Sequence, residues 1–317
     1  MSRLSAICCT LALAAGLVVA VAPPAAAVAP PTPGIPAGLP KAIEPLGGYV
    51  EQVACQPKAR SGTLALARLL ARTYRNYDGT SYGTGRACGT GGTRSEHYDG
   101  RAIDWMVDVH DARQHAAAKT FIAWLLATDK GGNRFAMARR LGVMYLIYDN
   151  RMWGAWDGRW EEYNNCSHLP AHRYDNSCHR THVHISLTWN GAMGRTSYWT
   201  GRVAPTDYGP CRLLGLNWAF RYSGRNLLPC PDLPRVLPAP HASATKKALV
   251  SFSGANLHLG SGGPAVSAVQ HALGVPASGV FDAQTSRAVT AFQRHSRLVR
   301  TGRMNPRTWR ALLAATR

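Results

Sequence analysis

Acidic side chains are scarce: 17 Asp and Glu stand against 36 Lys and Arg in 317 residues, a formal net charge of +19. That shortage leaves no cluster of carboxylates of the kind that holds two metal ions over a phosphodiester. A secreted nuclease is therefore a weak reading, although the charge alone would suit nucleic acid. Lysine is scarcer still, because 30 of the 36 basic residues are Arg. With abundant Ala, Gly and Pro, that bias fits a GC-rich coding sequence as well as it fits a function. The surplus itself predicts attraction to a polyanion: nucleic acid, an acidic membrane face or an anionic wall polymer. No C-x-x-C pair occurs, which argues against a cysteine-ligated zinc. Outside residues 4–22 no apolar run is long enough to span a bilayer, so stable membrane insertion is not expected of the mature chain. Charged residues amount to only 17% against 46% apolar, which excludes global disorder and allows a packed core; the length suits two domains.

What is present at the N-terminus predicts a compartment. Arg3, the apolar run 4–22 and the small residues Ala25-Ala26-Ala27 form a signal-peptide pattern over residues 1–27, with cleavage after Ala27. An uncleaved anchor is the alternative. Cys8 and Cys9 leave with that peptide, so Cys55, Cys88, Cys166, Cys178, Cys211 and Cys230 remain, an even set for an oxidising compartment. Six cysteines allow about fifteen connectivities. The pairing 55–88, 166–178 and 211–230 is favoured because each pair brackets one short or turn-rich segment. The expected location is secreted and associated with the cell wall.

Residues 28–40 are Pro-rich and read as an extended leader. From 41 to 230 helices and strands are mixed. Leu66, Leu69, Leu70 and Thr73 share a helical face after Ser61. Ala118, Phe121, Ile122 and Leu125 share another, on a helix ending at Gly131-Gly132, and 133–141 reads as a third helix. Residues 102–107, 143–149 and 181–188 read as strands, which predicts an α+β domain around a small antiparallel sheet. Residues 208–231 look like a disulfide-closed extension, and 231–250 read as a linker by composition.

The tail, 251–317, contains a repeat. Ser278-Gly279-Val280-Phe281-Asp282-x-x-Thr285-x-x-Ala288-Val289 returns as Thr301-Gly302-Arg303-Met304-Asn305-x-x-Thr308-x-x-Ala311-Leu312. Gly makes a turn, Asp282 or Asn305 caps a helix, and Pro306 fits a first helical turn. With an earlier helix bearing Val266, Val269 and Leu273, three short helices around one core follow. Gly263, Val266-x-x-Val269-Gln270-x-x-Leu273, Gly279-x-Phe281, Phe292-Gln293 and Thr308-Trp309-x-x-Leu312 resemble the peptidoglycan-binding domain found at the ends of many cell-wall hydrolases. The resemblance implies peptidoglycan as a partner.

Two segments carry the chemistry. In Ser95-Glu96-His97-Tyr98-Asp99-Gly100-Arg101-Ala102-Ile103-Asp104, His97 sits in a loop that follows Gly89, Gly91 and Gly92, and Asp104 lies on the next strand. In His179-Arg180-Thr181-His182-Val183-His184, strand alternation puts His182 and His184 on one face, with Val183, Ile185 and Leu187 toward the core. A loop His, a strand Asp and a strand His can converge on one ion. Two imidazoles and a carboxylate suit Zn²⁺ and leave a fourth position for water, which is a hydrolytic arrangement.

The pattern Ser-x-His-x-x-Gly-x-Ala-x-Asp followed by His-x-x-His-x-His resembles the zinc D-alanyl-D-alanine peptidases and the wider group that includes lysostaphin-type (LAS) metallopeptidases and penicillin-insensitive murein endopeptidases. It is most similar to an actinobacterial branch whose substrate is not established. The resemblance implies His97, Asp104 and His184 as zinc ligands. It gives His182 a proton-holding or polarising role and His179 the place of a catalytic His. Related enzymes instead place a Glu base three residues before the last ligand; here that residue is Thr181. The related enzymes also use an Arg on the oxyanion, for which Arg86 is the first candidate and Arg151 the second; Ser95 would orient a ligand. Taken singly, Arg86, Arg94 and Arg101 read equally as solvated loop charges. Trp153, Trp156 and Trp160 either wall a groove or fill core. The function implied is a secreted zinc peptidase acting on peptidoglycan, a D,D-carboxypeptidase or endopeptidase, with anionic wall polymers as further partners and no nucleic acid expected. The alternative is a non-catalytic, zinc-containing wall-binding protein.

Overall fold

The computed structural model describes residues 29–77, 81–88 and 94–316. The signal-peptide pattern and Gly89, Gly91 and Gly92 lie outside these residues. Six strands form one antiparallel sheet: β1 (Tyr82–Gly83), β2 (Ala102–Met106), β3 (Val143–Tyr148), β4 (Arg151–Gly154), β5 (Arg159–Glu162) and β6 (His182–Leu187). Their order is β1-β2-β6-β3-β4-β5, so β6, late in sequence, slots between β2 and β3.

Helices α1 (Ser61–Thr73), α2 (Ala112–Leu126) and α3 (Ala136–Leu141) cover one face. Leu66, Ala67 and Leu70 of α1 and Ala117, Ala118, Phe121 and Leu125 of α2 are buried there with Ile103, Trp105, Val183, Ile185, Leu187 and Leu146 from the strands. Asp111 caps α2 by accepting from the backbone of Arg113 and Gln114. That helix stops at Leu126 rather than at Gly131-Gly132, because Asp129 accepts from the backbone of Gly131 and Asn133 and builds a turn before α3. Two short helices follow β6, α4 (Trp189–Ala192) and α5 (Ser197–Thr200).

All three expected disulfides are formed: Cys55–Cys88, Cys166–Cys178 and Cys211–Cys230. In the tail, α6 (Ala244–Phe252), α7 (Pro264–Leu273), α8 (Ala283–His295) and α9 (Pro306–Ala315) enclose a second core. The three helices expected in the tail are α7–α9, the last two from the repeat; α6 starts within the segment read as linker. Its Leu249 and Phe252 join Val266, Val269, Phe281, Val289, Trp309 and Leu312 in that core, along with Leu216 and Trp218 from the disulfide-closed extension.

Candidate metal centre

In the sheet, Asp104 of β2 sits opposite His184 of β6, and Met106 sits opposite His182. The residues between them face the helices, so Asp104, His182, His184 and Ser186 share the other face. His97 comes from a 3₁₀ turn, Glu96–Asp99, whose first residue follows Ser95; the Ser95 hydroxyl accepts from the His97 backbone. Gly100 ends that turn at φ 78°, and a Cβ there would lie 2.1 Å from the Lys58 carbonyl oxygen. Only glycine lets the chain double back here and enter β2.

The geometry brings three ligand atoms together. His97 Nε2 and His184 Nδ1 lie 3.0 and 2.9 Å from Asp104 Oδ1, and all three atoms are within 4.8 Å of one another. The far ring nitrogens are already engaged. His97 Nδ1 is 2.9 Å from the Thr84 carbonyl oxygen, which can only accept, so Nδ1 carries the proton. His184 Nε2 is 2.9 Å from the Ser186 hydroxyl, which donates to Glu96 Oε2 at 3.2 Å and so accepts from the imidazole. As neutral rings, both histidines therefore present lone pairs to a carboxylate oxygen, an arrangement that a cation relieves. Tetrahedral zinc bonds of about 2.0–2.1 Å separate ligand atoms by about 3.3 Å, so the two contacts to Asp104 have to open by only a few tenths of an ångström. The donors fit zinc.

Electrostatics agree with that fit. Burial opposes the charge on Asp104, but its close neighbours His184 and His97 outweigh it and hold the carboxyl below its ordinary range. Burial, then the neighbouring His184 and His182, push the His179 imidazole down to about 3. His182 is lowered too, mainly by burial. His179 packs 4.7 Å from the His182 ring and 5.7 Å from the His184 ring, centroid to centroid. Its backbone is left-handed at φ 54°, and its buried Nδ1 has no hydrogen-bond partner among the described residues. His182 Nε2 is 3.7 Å from Asp104 Oδ1.

These groups line a cavity of about 450 Å³ with Arg86, Ser95, Tyr163 and Asn176 on its walls. Arg86, 56% exposed along its side chain, reaches Asp104 Oδ2 at 3.1 Å. Arg151 is directed elsewhere, its guanidinium lying 5.7 Å from the Trp160 ring. Arg94 pairs with Glu51. Arg101 departs from the reading as a solvated charge. It is fully buried, bonded to Asp99 at 3.0 Å and to the carbonyls of Leu187 and Val50. The tryptophans divide: Trp153 is core against Phe135, whereas Trp156 lines a second recess with Tyr49, Tyr145, Ile147, Met152 and Tyr163. Tyr145, Ile147 and Tyr163 border both spaces.

Three supporting residues were not assigned from sequence. Glu96, buried beside the ligand it precedes, accepts from Ser186 and from the Tyr145 hydroxyl; the Tyr145 ring stacks on His184 at 5.5 Å. Period-two spacing after His184 points to Ser186, but no sequence signal points to Tyr145, which arrives from β3.

The family model of the VldE C-terminal domain matches residues 55–174, and that of a peptidoglycan binding domain matches residues 263–312. The first match takes in His97 and Asp104 and stops before β6, and the model matched is not one of zinc D-alanyl-D-alanine or lysostaphin-type peptidases. The second coincides with α7–α9. No curated protein and no solved structure matches the chain. The peptidoglycan-binding tail and the disulfides fit an extracellular protein associated with the cell wall, and among the described residues no helix is long and apolar enough to cross a membrane.

Proposed function

We propose that this is an exported zinc-dependent peptidase that cuts amide bonds in the stem peptides or cross-links of peptidoglycan, held to the wall by its tail. The observation that supports it most is the convergence of His97 Nε2, Asp104 Oδ1 and His184 Nδ1, with their outer hydrogen bonds satisfied, at an open cavity in a chain that carries a peptidoglycan-binding module. When bound, zinc supplies a Lewis acid for the scissile carbonyl and acidifies a water. His179, which lines the cavity, accepts the proton of the attacking water and delivers it to the leaving amine. His182 flanks the same space and steadies charge during that transfer. Arg86, at the rim and on the ligand carboxylate, places its guanidinium beside the developing oxyanion. The aromatic recess around Trp156 gives the flanking part of the substrate an apolar wall.

The test is mass spectrometry of soluble products from purified peptidoglycan incubated with zinc-loaded protein, beside His184→Ala and a chelated control. Free D-Ala or cleaved stem peptides are expected only from the intact, zinc-loaded protein. Bound zinc and wall binding without any product would overturn the peptidase reading and leave a non-catalytic wall-binding protein.

A further inference from the structure

A second group of metal-ligating side chains lies outside the cavity just described and shares no residue with the first. His110 Nε2 and His172 Nδ1 approach the same oxygen, Asp175 Oδ2, at 3.1 and 2.9 Å, and the two rings stand 4.9 Å apart. All three candidate ligand atoms lie within 4.8 Å of one another. The carboxylate is fixed before any ion arrives. Its other oxygen, Oδ1, accepts from Arg180 Nη1 at 2.8 Å, and Arg180 is itself tied to Asn150 Oδ1 and to the carbonyls of Cys166 and Leu169. Oδ2 is thus left facing two imidazoles that are open to solvent, His110 by half and His172 by 84% of the side chain.

We infer that His110, His172 and Asp175 form a second site for a divalent transition metal, which fastens the disulfide-closed loop to the segment that opens α2. Two imidazole nitrogens and one carboxylate oxygen select zinc, copper or nickel over calcium or magnesium, which prefer oxygen donors. The two separations from Asp175 are again within a few tenths of an ångström of the roughly 3.3 Å that tetrahedral zinc requires. Arg180 orients the carboxylate as outer-sphere partners of metal ligands do. The two imidazoles here are exposed, whereas His97 and His184 are buried and anchored, which makes this site weaker than the first.

The placement gives the ion a task. Asp175 and His172 belong to the loop closed by Cys166–Cys178, which runs into Asn176, Ser177 and His179 on the cavity wall. His110 belongs to the turn between β2 and α2, and Val109 N already donates to the Arg180 carbonyl at 2.8 Å. An ion bound across the two segments holds the loop that presents His179. The inference does not depend on the proposed peptidase activity.

The experiment is zinc stoichiometry by elemental analysis of the full mature chain after equilibrium dialysis at graded free zinc, with the variants His172→Ala, His97→Ala and both together. Exposed His172 can be removed without disturbing a core. Two equivalents are expected in the wild type, the weaker one lost from His172→Ala and the tighter one from His97→Ala, with none left in the double variant. Cobalt substitution should give two sets of absorption bands, one missing from each single variant. A wild type that binds a single ion, lost with His97→Ala and untouched by His172→Ala, would overturn the inference; so would a second equivalent that survives His172→Ala. A single ion lost only with His172→Ala would uphold this site and remove the first one.

Discussion

Ser186 shows how much of the centre depends on a single hydroxyl. It takes the proton of His184 Nε2 as an acceptor and passes its own hydrogen to Glu96, so it fixes the tautomer that leaves Nδ1 free to bind a metal. Ser186→Ala leaves the ring without its anchor and Glu96 without one donor. Zinc affinity should fall about 10–100-fold, as for other outer-sphere ligand partners, while the far-ultraviolet circular dichroism stays unchanged; chelator competition reads the affinity. An unchanged affinity would mean that Tyr145, stacked on His184, positions the ring unaided. That a loop His, a strand Asp and a strand His converge was legible in the sequence, because the motif orders His97 before Asp104 and strand periodicity puts His182 and His184 on one face. The residues that orient them were less so. Glu96 and Tyr145 meet only because β6 inserts between β2 and β3, and register between distant strands is not written in local spacing.

Between elements, two buried polar devices hold the parts in place. Arg101 and Asp99 form a fully buried ion pair at 2.9 Å, and Arg101 also reaches the Leu187 carbonyl at the end of β6 and the Val50 carbonyl. The pair thereby joins the His97 turn, β2 and β6. Asp99→Ala removes the partner of a buried guanidinium and should cost about 3–5 kcal/mol, read as a lower midpoint in urea denaturation. Pairing Asp99→Leu with Arg101→Met should recover part of that loss, because the buried guanidinium goes with its partner; buried Glu96, 3.9 Å from Arg101, then loses its cation and keeps the recovery partial. In the tail, the repeat has a mechanical cause. Gln270 Oε1 accepts from the Gly279 backbone while Nε2 reaches Val280 O and Thr285 Oγ1. Gln293 does the same with Gly302, Arg303 O and Thr308 Oγ1. Gly302 holds φ 64°, and a Cβ there would meet Ser286 Oγ at 2.6 Å. Gln293→Leu strands the Thr301 and Gly302 N–H groups, takes one donor from the Arg303 carbonyl and should destabilise the tail by about 2 kcal/mol or more, visible as a lower thermal midpoint. Helices α7–α9 were legible because capping residues, glycines and apolar positions agree. Helix α6 was not, because its Ala, Ser and Lys content and the prolines before it read as linker, and its burial depends on the distant Leu216 and Trp218.

At the scale of the whole molecule, the composition of the segment after Cys230 suggests a flexible tether, whereas the contacts describe a docked strap. Asn217 Nδ2 donates to the Val236 carbonyl at 2.8 Å and Val236 N returns a bond to Asn217 Oδ1 at 2.9 Å. Arg235 pairs with Glu51 at 2.9 Å, and Arg212 bonds the Leu233 carbonyl. The extension between Cys211 and Cys230 is the seat of this strap and bonds to both parts of the chain. Ala219 N donates to Val53 O of the first domain, Trp218 N to Ser253 O of the tail, and the Trp218 indole to Ser251 O. A wall-bound tail would then present the cavity at a distance set by this interface and not by the contour length of a free chain. Trypsin tests the difference at Arg235, which a free linker exposes at all times. If cleavage tracks the population of an opened strap, Asn217→Ala, by removing the bonds to Val236, costs the closed form about 1–1.5 kcal/mol and should raise the initial rate of cutting after Arg235 about tenfold. Equal and rapid cutting in wild type and variant would mean that the strap is open in solution, and reach along the wall would then follow linker length.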